Sequence, residues 1–265
     1  MNITYFDIHS HVHFPDYDAD REAVIQRAHD AGIAMISVGT DLEVSRKAVE
    51  LAEKHENMYA AIGLHPTHSR DESIDMDAFK ELASHPKTVA IGECGLDYYR
   101  LDEDSRQKQI EAFEKMIDIA NEAGKPLMLH IRNSDRAASF QNINRSAYKD
   151  AYEILKSRAK VKGNLHFYAG SIEETKPFLE LGYTFSFTGV LTFTHDYDEV
   201  VRYIPIDRIM SETDCPFVTP VPHRGKRNEP SFVIEVVKAI ARIKDQPQAD
   251  VAKQLLENAQ KFIRI

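Results

Sequence analysis

Short runs of apolar residues alternate along the chain with longer amphipathic segments. Eight of the apolar runs have the length of buried strands, and in chain order they are ITYFDI (3–8), IAMISVG (33–39), MYAAIG (58–63), TVAIGE (88–93), PLMLH (126–130), GNLHF (163–167), YTFSF (183–187) and RIMSET (208–213). Strands that alternate with helices form a parallel sheet covered by those helices. Eight such units favour a closed sheet, so the pattern predicts an α/β fold, a (β/α)₈ TIM barrel.

The segment 105–123 has the clearest helical period between two strands. Its apolar residues recur on one helical face, at Ile110, Phe113, Ile117 and Ala120. Gly124 stands where this helix should end, and Pro126 then opens the next strand.

Two segments on the second half of the chain are harder to assign. Ser171 and Glu174 have the spacing of a capping box. Pro177 belongs in the first turn of a helix, so we expect this helix to start nearer Thr175. The polar, aperiodic segment 133–148 is predicted to be a long surface loop on the catalytic face of the barrel.

The last stretch, 230–263, has two helical patterns that divide near 245–247. The chain has 265 residues, and barrels of this kind average about 250. We therefore expect residues 1–265 to form a single TIM-barrel domain.

Composition and charge limit the partners and the cellular location that we expect for the protein. The formal net charge is −9, which argues against a protein that coats nucleic acid with a broad basic face. The sequence has no long apolar run and no signal-peptide pattern at its start, so we expect no membrane contact. The two cysteines, Cys94 and Cys215, suggest no disulfide framework and are expected to be buried packing residues. A cytoplasmic location is the resulting expectation.

The candidate chemistry begins with His9 and His11 at the end of the first strand. Residues two apart on a strand point to the same face. The two imidazoles are therefore aimed at one point, and neutral imidazole is the commonest metal ligand in proteins.

Other strands also end in residues of ligand type. These are Glu93, His130 and His166 on the fourth, fifth and sixth strands, and Asp214 after the eighth. In a (β/α)₈ barrel the C-terminal strand ends converge on the active site. We therefore predict that they meet the two histidines of the first strand in one metal site.

Four histidines and two carboxylates exceed the needs of a single ion. One catalytic Zn²⁺ takes about three protein ligands and a water. Two ions about 3.5–4 Å apart would use all six residues, with one carboxylate shared between them. The imidazole-rich set favours Zn²⁺, with Mg²⁺ or Mn²⁺ as the other candidates.

The sequence resembles the TatD family of metal-dependent deoxyribonucleases. The similarity runs nearly end to end through the motifs FDIHSH (6–11), AIGLHP (61–66), IGECGLDYYR (91–100), HIR (130–132), HFYAGS (166–171), SETDCPF (211–217) and RGKRNEP (224–230). The resemblance implies a hydrolase that cleaves ester bonds, with DNA ends as the usual substrate, cut from 3′ to 5′. It also implies that His9, His11, Glu93 and Asp214 hold one metal, and that Glu93, His130 and His166 hold the other.

The chain departs from the usual family pattern at several positions. The alanine common after the fifth strand is absent from HIRNS (130–134), and the loop 133–148 is longer than usual. FYAGS (167–171) replaces a frequent Cys-Phe-x-Gly-Ser, and His13 stands where an acidic residue is common. None of these positions is a proposed ligand, but the loop bears on which substrate fits.

The proposed roles of the site residues follow from this chemistry. Asp214 is expected to orient the attacking water and take its proton, and Glu93 to act beside it. His65 and Arg132 are candidates to hold a substrate phosphate. Arg224 and Arg227 form a basic loop after the eighth strand, where barrels often bind phosphate.

Tyr98 and Tyr99 are placed either to stack on a base or to pack the loop after the fourth strand. The expected partner is nucleic acid, as DNA ends or tRNA, and the chain is expected to be a monomer or weak oligomer. A D-aminoacyl-tRNA deacylase, or another ester- or amide-cleaving hydrolase of the amidohydrolase kind, is the alternative. A non-catalytic barrel is disfavoured because no candidate ligand is missing.

Overall fold

A computed structural model describes residues 3–69, 74–99, 103–134 and 146–264. The strands are Tyr5–Ser10 (β1), Ile33–Val38 (β2), Met58–Ile62 (β3), Thr88–Asp97 (β4), Leu127–Arg132 (β5), Gly163–His166 (β6), Thr184–Phe187 (β7) and Ile209–Ser211 (β8). All eight pair in parallel with their neighbours in chain order. A parallel bridge between Ser10 and Cys215 joins the chain after β8 back to β1. The predicted (β/α)₈ barrel is confirmed.

Helices follow the strands and cover the sheet. They are Arg21–Asp30 (α1), Leu42–Glu53 (α2), Met76–Ser84 (α3), Glu103–Ala123 (α4), Ala147–Arg158 (α5), Ile172–Glu180 (α6), Asp198–Tyr203 (α7), Val233–Lys244 (α8) and Gln248–Ile263 (α9). The helix predicted over 105–123 and the two predicted within 230–263 are confirmed. Along the described ranges, no helix combines the length and the apolar character needed to cross a membrane.

Apolar side chains of the helices and of one face of β1 are buried in the core, whereas the other face of β1 is polar. In α4, Phe113 and Ile117 are buried as their period predicts. Phe6 and Ile8 of β1 pack in an apolar cluster that includes Ile263 of α9. Asp7 and His9 alternate with them in β1, which turns the polar side chains to the opposite face of the strand.

The expected start of α6 near Thr175 is wrong. The helix begins at Ile172, because Ser171 accepts a hydrogen bond from the amide of Glu174 and the Glu174 carboxylate accepts one from the amide of Ser171. Pro177 lies inside the helix, which therefore lacks the one hydrogen bond that this residue cannot donate.

The predicted loop 133–148 ends earlier than expected. Helix α5 starts at Ala147, where the Ser146 hydroxyl caps it and the Asn133 side chain accepts a hydrogen bond from the Ala147 amide at 2.7 Å. Tyr148 is buried in the core and does not belong to a surface loop. The centre of the predicted loop, 135–145, lies outside the described residues.

Candidate metal centre

The six predicted ligands meet in one cluster at the C-terminal end of the barrel. They come from β1 and the residue after it, from β4, β5 and β6, and from the segment after β8, and they are His9, His11, Glu93, His130, His166 and Asp214. All but His130 are buried. The six side chains predicted from sequence therefore lie together, although β4 continues past Glu93 to Asp97 and β5 continues past His130 to Arg132.

Ligand-type atoms of four residues lie close together between β1, β4 and the end of β8. His9 Nε2 lies 3.2 Å from His11 Nε2, 3.4 Å from Glu93 Oε2 and 3.9 Å from Asp214 Oδ1. His11 Nε2 is 3.5 Å from Asp214 Oδ1. His11 Nδ1 donates to the carbonyl of Val38 at 2.7 Å, which leaves the lone pair of a neutral ring on Nε2, facing the cluster.

The second carboxylate oxygen of Glu93 faces a different group of imidazoles. Glu93 Oε1 accepts a hydrogen bond from His130 Nδ1 at 2.8 Å and lies 3.6 Å from His166 Nε2. His65 Nε2 is also 3.4 Å from this oxygen. A carboxylate whose two oxygens face separate sets of histidines is placed to bridge two cations.

Glycines on both sides of Glu93 set its position. A Cβ on Gly92 would lie 2.2 Å from the Met128 carbonyl oxygen, and one on Gly95 would lie 2.1 Å from that of His130. Both glycines also have positive φ angles, 153° and 144°. β4 can therefore approach β5 closely enough for Glu93 to reach His130.

The electrostatics of the cluster favour an ionised Glu93. Burial alone would raise the pKa of Glu93, but the neighbouring His65 and hydrogen bonds from His130 and other histidines hold it well below its usual range. Burial, and then the neighbouring His166, lower the pKa of His9 to about 3. An ionised carboxylate and a neutral imidazole are the forms that bind a cation.

His166 behaves differently from His9. Burial alone would lower its pKa, but Glu212 and the two ligand carboxylates outweigh burial and raise the pKa to about 10. Without an ion, the cluster therefore keeps a proton on His166. A cation at this position must displace that proton.

Two carboxylates that orient the ligands escaped the sequence analysis. Asp97 Oδ2 accepts a hydrogen bond from His130 Nε2 at 3.0 Å. Glu212 Oε1 lies 3.1 Å from His166 Nδ1, although not along a hydrogen-bond direction. Glu212 is itself held by the Phe167 amide and the Ser186 hydroxyl, each at 2.6 Å. The hydrogen bond to Asp97 fixes the orientation of the His130 ring and raises its basicity as a ligand.

In the sequence, only their positions next to ligand motifs point to these two carboxylates. Asp97 lies in the motif GLDYY (95–99), and Glu212 directly precedes the TD pair at 213–214. Each stands beside a proposed ligand motif, but acidic residues near a ligand are common. Only the register of neighbouring strands shows which imidazole each carboxylate faces.

His65 lies in the cluster, where sequence reasoning gave it a phosphate-binding role. Its Nδ1 accepts a hydrogen bond from the Thr67 amide at 3.2 Å, so the neutral ring carries its proton on Nε2. This nitrogen lies 3.4 Å from Glu93 Oε1. The ring thus offers a hydrogen-bond donor at the site, although its position beside Glu93 and His130 also suits a ligand.

The three candidate arginines differ in their surroundings. The Arg132 guanidinium lies over the Tyr99 ring, 3.9 Å from its centroid. Arg224 lies over Phe193 at 4.2 Å.

Arg227 is more strongly engaged than the other two. It forms an ion pair with Asp20 at 2.7 Å and donates to the backbone carbonyl of Asp16. It therefore has less freedom to meet a phosphate.

The other residues that the sequence singled out mostly make contacts within the protein. The Tyr98 hydroxyl donates to Asp150 at 2.7 Å, so this ring packs the loop, whereas Tyr99 is partly exposed. Cys94 and Cys215 are fully buried, and burial raises the pKa of both thiols. His13 is buried and shares a hydrogen bond of 2.7 Å with the Ser37 hydroxyl.

Comparisons with known proteins agree with this arrangement. The family model for TatD related DNase matches residues 6–264. The chain is 39% identical to the metal-dependent hydrolase YabD of Bacillus subtilis over 98% of this chain and 99% of that protein. It is 31% identical to a protein of Erwinia tasmaniensis named 3′-5′ ssDNA/RNA exonuclease TatD, over 98% of this chain and all of the relative.

A solved structure shows the same fold. The TatD homologue YjjV of Escherichia coli K12 superimposes with a TM-score of 0.86 at 25% identity, and the match covers the whole of both chains. With its family motif matched almost end to end and its buried cluster of histidines and carboxylates able to bind metal, this chain belongs to the TatD family of metal-dependent hydrolases.

Proposed function

We propose that the protein is a metal-dependent phosphodiesterase that removes nucleotides from DNA ends, working from 3′ to 5′ on single strands. The observation that carries this proposal is the placement of Glu93, whose two oxygens face two groups of imidazoles. Two-metal sites of this kind serve the in-line displacement of phosphodiesters. The printed name of the Erwinia relative, a 3′-5′ ssDNA/RNA exonuclease, supports the direction and the substrate.

The donor set fits a divalent transition ion at the first position. Ligands 2.0–2.1 Å from a tetrahedral Zn²⁺ lie about 3.4 Å from one another. His9 Nε2 lies 3.2–3.9 Å from the facing atoms of His11, Glu93 and Asp214. His11 Nε2 lies 3.5 Å from Asp214 Oδ1. We propose Zn²⁺ as the ion. Mg²⁺ and Mn²⁺ are the alternatives, and both prefer oxygen ligands to imidazole.

The second position is proposed to use Glu93, His130 and His166. His130 donates to both Glu93 and Asp97, which needs a proton on each ring nitrogen. Burial lowers the pKa of His130, but hydrogen bonds to Asp97 and Glu93 outweigh burial and raise it. Loss of the Nδ1 proton frees a lone pair beside Glu93 while Asp97 still holds the ring through Nε2.

The chemistry proposed for the site is hydrolysis by an activated water. Bound divalent ions would polarise the phosphate and lower the pKa of a water to about 7. Asp214 is proposed to orient that water and to accept its proton, since its side chain is 12% exposed against 5% for Glu93. The Asp214 carboxylate therefore meets solvent at the edge of the buried cluster.

Substrate phosphate is proposed to meet donors at the rim of the site. His65 offers its Nε2 proton beside Glu93. Arg132, the last residue of β5, and Arg224, on the loop after β8, are exposed, and Arg227 follows on the same loop as Arg224. Guanidinium groups bind phosphate oxygens through paired hydrogen bonds.

A barrel of the amidohydrolase kind would place a carboxylated lysine on the fourth strand. β4 has the sequence TVAIGECGLD, which contains no lysine and places Glu93 where the bridging group is needed. This favours phosphodiester cleavage over cyclic amide cleavage.

The test is a substrate panel with purified protein of defined metal content. It includes single-stranded DNA, duplex DNA, RNA and D-aminoacyl-tRNA, each with and without a chelator. We expect single-stranded DNA to be shortened from its 3′ end, with loss of cleavage in Glu93→Ala. Glu81→Ala, an exposed glutamate of α3, is the matched control. Cleavage of D-aminoacyl-tRNA alone would contradict the proposal.

A further inference from the structure

Exposed apolar side chains are concentrated on the face of the barrel that holds the metal centre. Among the described residues, the large hydrophobic side chains that stand exposed are Tyr99, Phe193, Tyr203, Phe217 and Val221. All but Tyr203 lie on loops that follow β4, β7 or β8. Exposed apolar groups gathered in one region mark an interaction site.

Phe217 is the most exposed of these side chains and lies close to the cluster. Its ring is 53% exposed, and its centroid is 6.4 Å from that of the His11 ring. His11 faces Asp214, three residues before Phe217. A nucleotide with its phosphate at His11 and Asp214 would therefore bring a base within reach of the Phe217 ring.

The loop that carries Phe217 is fixed before any ligand binds. The Asn228 side-chain amide donates to the carbonyls of Thr213, at 2.9 Å, and of Phe217, at 2.6 Å. Asp214 and Val218 on either side of the ring have positive φ angles, 54° and 52°. Residues other than glycine adopt these angles only where the surrounding structure imposes them.

Arg224, on the same loop after β8 as Phe217, forms a second planar surface with Phe193. The Arg224 guanidinium lies 4.2 Å from the Phe193 ring centroid, and its Nη1 donates to the Thr219 carbonyl at 2.8 Å. The Val221 amide donates to the Thr192 hydroxyl at 2.8 Å, which ties the loop after β8 to the loop after β7. Arg224 nevertheless remains exposed.

Aromatic rings and guanidinium planes are the surfaces on which unpaired bases stack. The positive charge of Arg224 also complements a phosphate backbone, on a chain whose formal net charge is −9. A purely apolar protein partner would cover the Arg224 charge without offering it a partner, which is unfavourable. The combination of rings, positive charge and closeness to the metal centre fits a single nucleic-acid strand.

We propose that Phe217 is the stacking platform for the unpaired base next to the scissile phosphate, and that the Phe193–Arg224 pair stacks a further base. This inference rests on the proposed phosphodiesterase function. It assigns the preference for single strands to these side chains, because a paired base has no free face to offer them.

The test compares a single-stranded oligonucleotide with the same strand carrying abasic units at its two terminal positions. The quantity measured is the ratio of kcat/KM for the two strands. In the unmodified protein we expect kcat/KM to be higher for the strand with bases. In Phe217→Ala we expect this ratio to be about tenfold lower, because the loss of one base stack has an effect of this size. Phe217→Tyr keeps a ring and should restore the ratio. Tyr203→Ala, on the exposed end of α7, is the matched control and should leave it unchanged.

The outcomes separate the two proposals. Cleavage of both strands with equal ratios in the unmodified protein and Phe217→Ala would overturn the stacking role and leave the phosphodiesterase standing. Failure to cleave any oligonucleotide, while a small chromogenic phosphodiester is cleaved, would overturn both the DNA substrate and the stacking role. A dimer that dissociates in Phe217→Ala, with unchanged ratios, would assign the surface to a second copy of the chain instead.

Discussion

The imidazole rings of His9 and His166 stack face to face, with centroids 3.5 Å apart and planes inclined by 16°. The two residues come from β1 and β6, which are not neighbours in the sheet. Two parallel rings at this distance cannot both carry a positive charge without strong repulsion. The contact therefore keeps at least one ring neutral, in the state that a metal ligand requires.

Replacement of Asp214 by Asn should remove turnover and leave the fold intact. The amide keeps the size of the side chain but is a poor base, and general bases contribute about 10²–10⁴-fold to rate. We expect kcat on single-stranded DNA to fall by this amount and the thermal unfolding midpoint to change little. Near-normal kcat in Asp214→Asn would show that another group takes the proton.

Replacement of Asp97 by Asn should weaken metal binding through His130. The carboxylate that holds His130 Nε2 at 3.0 Å loses its charge, so the ring becomes a poorer ligand. Losses of this kind are about 10–100-fold in metal affinity or activity. Titration of metal against a chromogenic chelator measures the affinity.

Asp118→Asn is the matched control for this change. Asp118 pairs with Arg158 at 2.6 Å on the surface, where loss of an ion pair has little effect. Equal metal affinity in Asp97→Asn and Asp118→Asn would contradict the positioning role of Asp97.

The stability of the fold should depend on pH through His29. Burial, and then the neighbouring His55, lower the pKa of His29 below its ordinary value of 6.5. The stabilising effect of a neutral His29 is fully present above pH 6.5, and it is lost as pH falls because only the unfolded chain then gains the proton. The nearby charges are Asp30, which opposes the shift, and Glu22, 3.5 Å from His55.

The measurement is the urea midpoint of unfolding at pH 7.5 and at pH 5.5. We expect the unmodified chain to lose more stability between these two values than His29→Gln does. All other histidines are present in both proteins, so the difference between the two proteins reports His29. A drop in His29→Gln as large as in the unmodified chain would contradict the assignment.

The sequence contained enough to place the strands and the ligand types at their ends. An apolar run followed by a histidine or carboxylate is a local signal, and it led to Glu93 and His130, although both lie within their strands and not at the strand ends. The start of α6 was misplaced because the proline rule outweighed the capping box of Ser171 and Glu174, whereas the folded chain tolerates one missing hydrogen bond. Asp97 was missed because its role depends on the pairing of β4 with β5, which no local pattern records.

The contacts of Arg224 and Arg227 could not be predicted from the sequence, for a related reason. The sequence showed that Arg224 lies in a basic loop, but not that its guanidinium covers Phe193 from a different loop. Arg227 belongs to the same basic stretch and is instead paired with Asp20 near the start of α1. Side chains so close in sequence take different partners because packing between distant loops, and not composition, decides which contacts form.

The metal content of the protein tests the central claim most directly, namely that Glu93 joins two cation sites. The chain is loaded in metal-replete buffer, freed of excess ion and measured by elemental analysis beside Glu93→Ala and the control Glu81→Ala. We expect about two ions per chain in the unmodified protein and the control, and fewer than one in Glu93→Ala, since both sites share this carboxylate. An unmodified chain that holds no ion, or a Glu93→Ala variant that keeps both, would contradict the account.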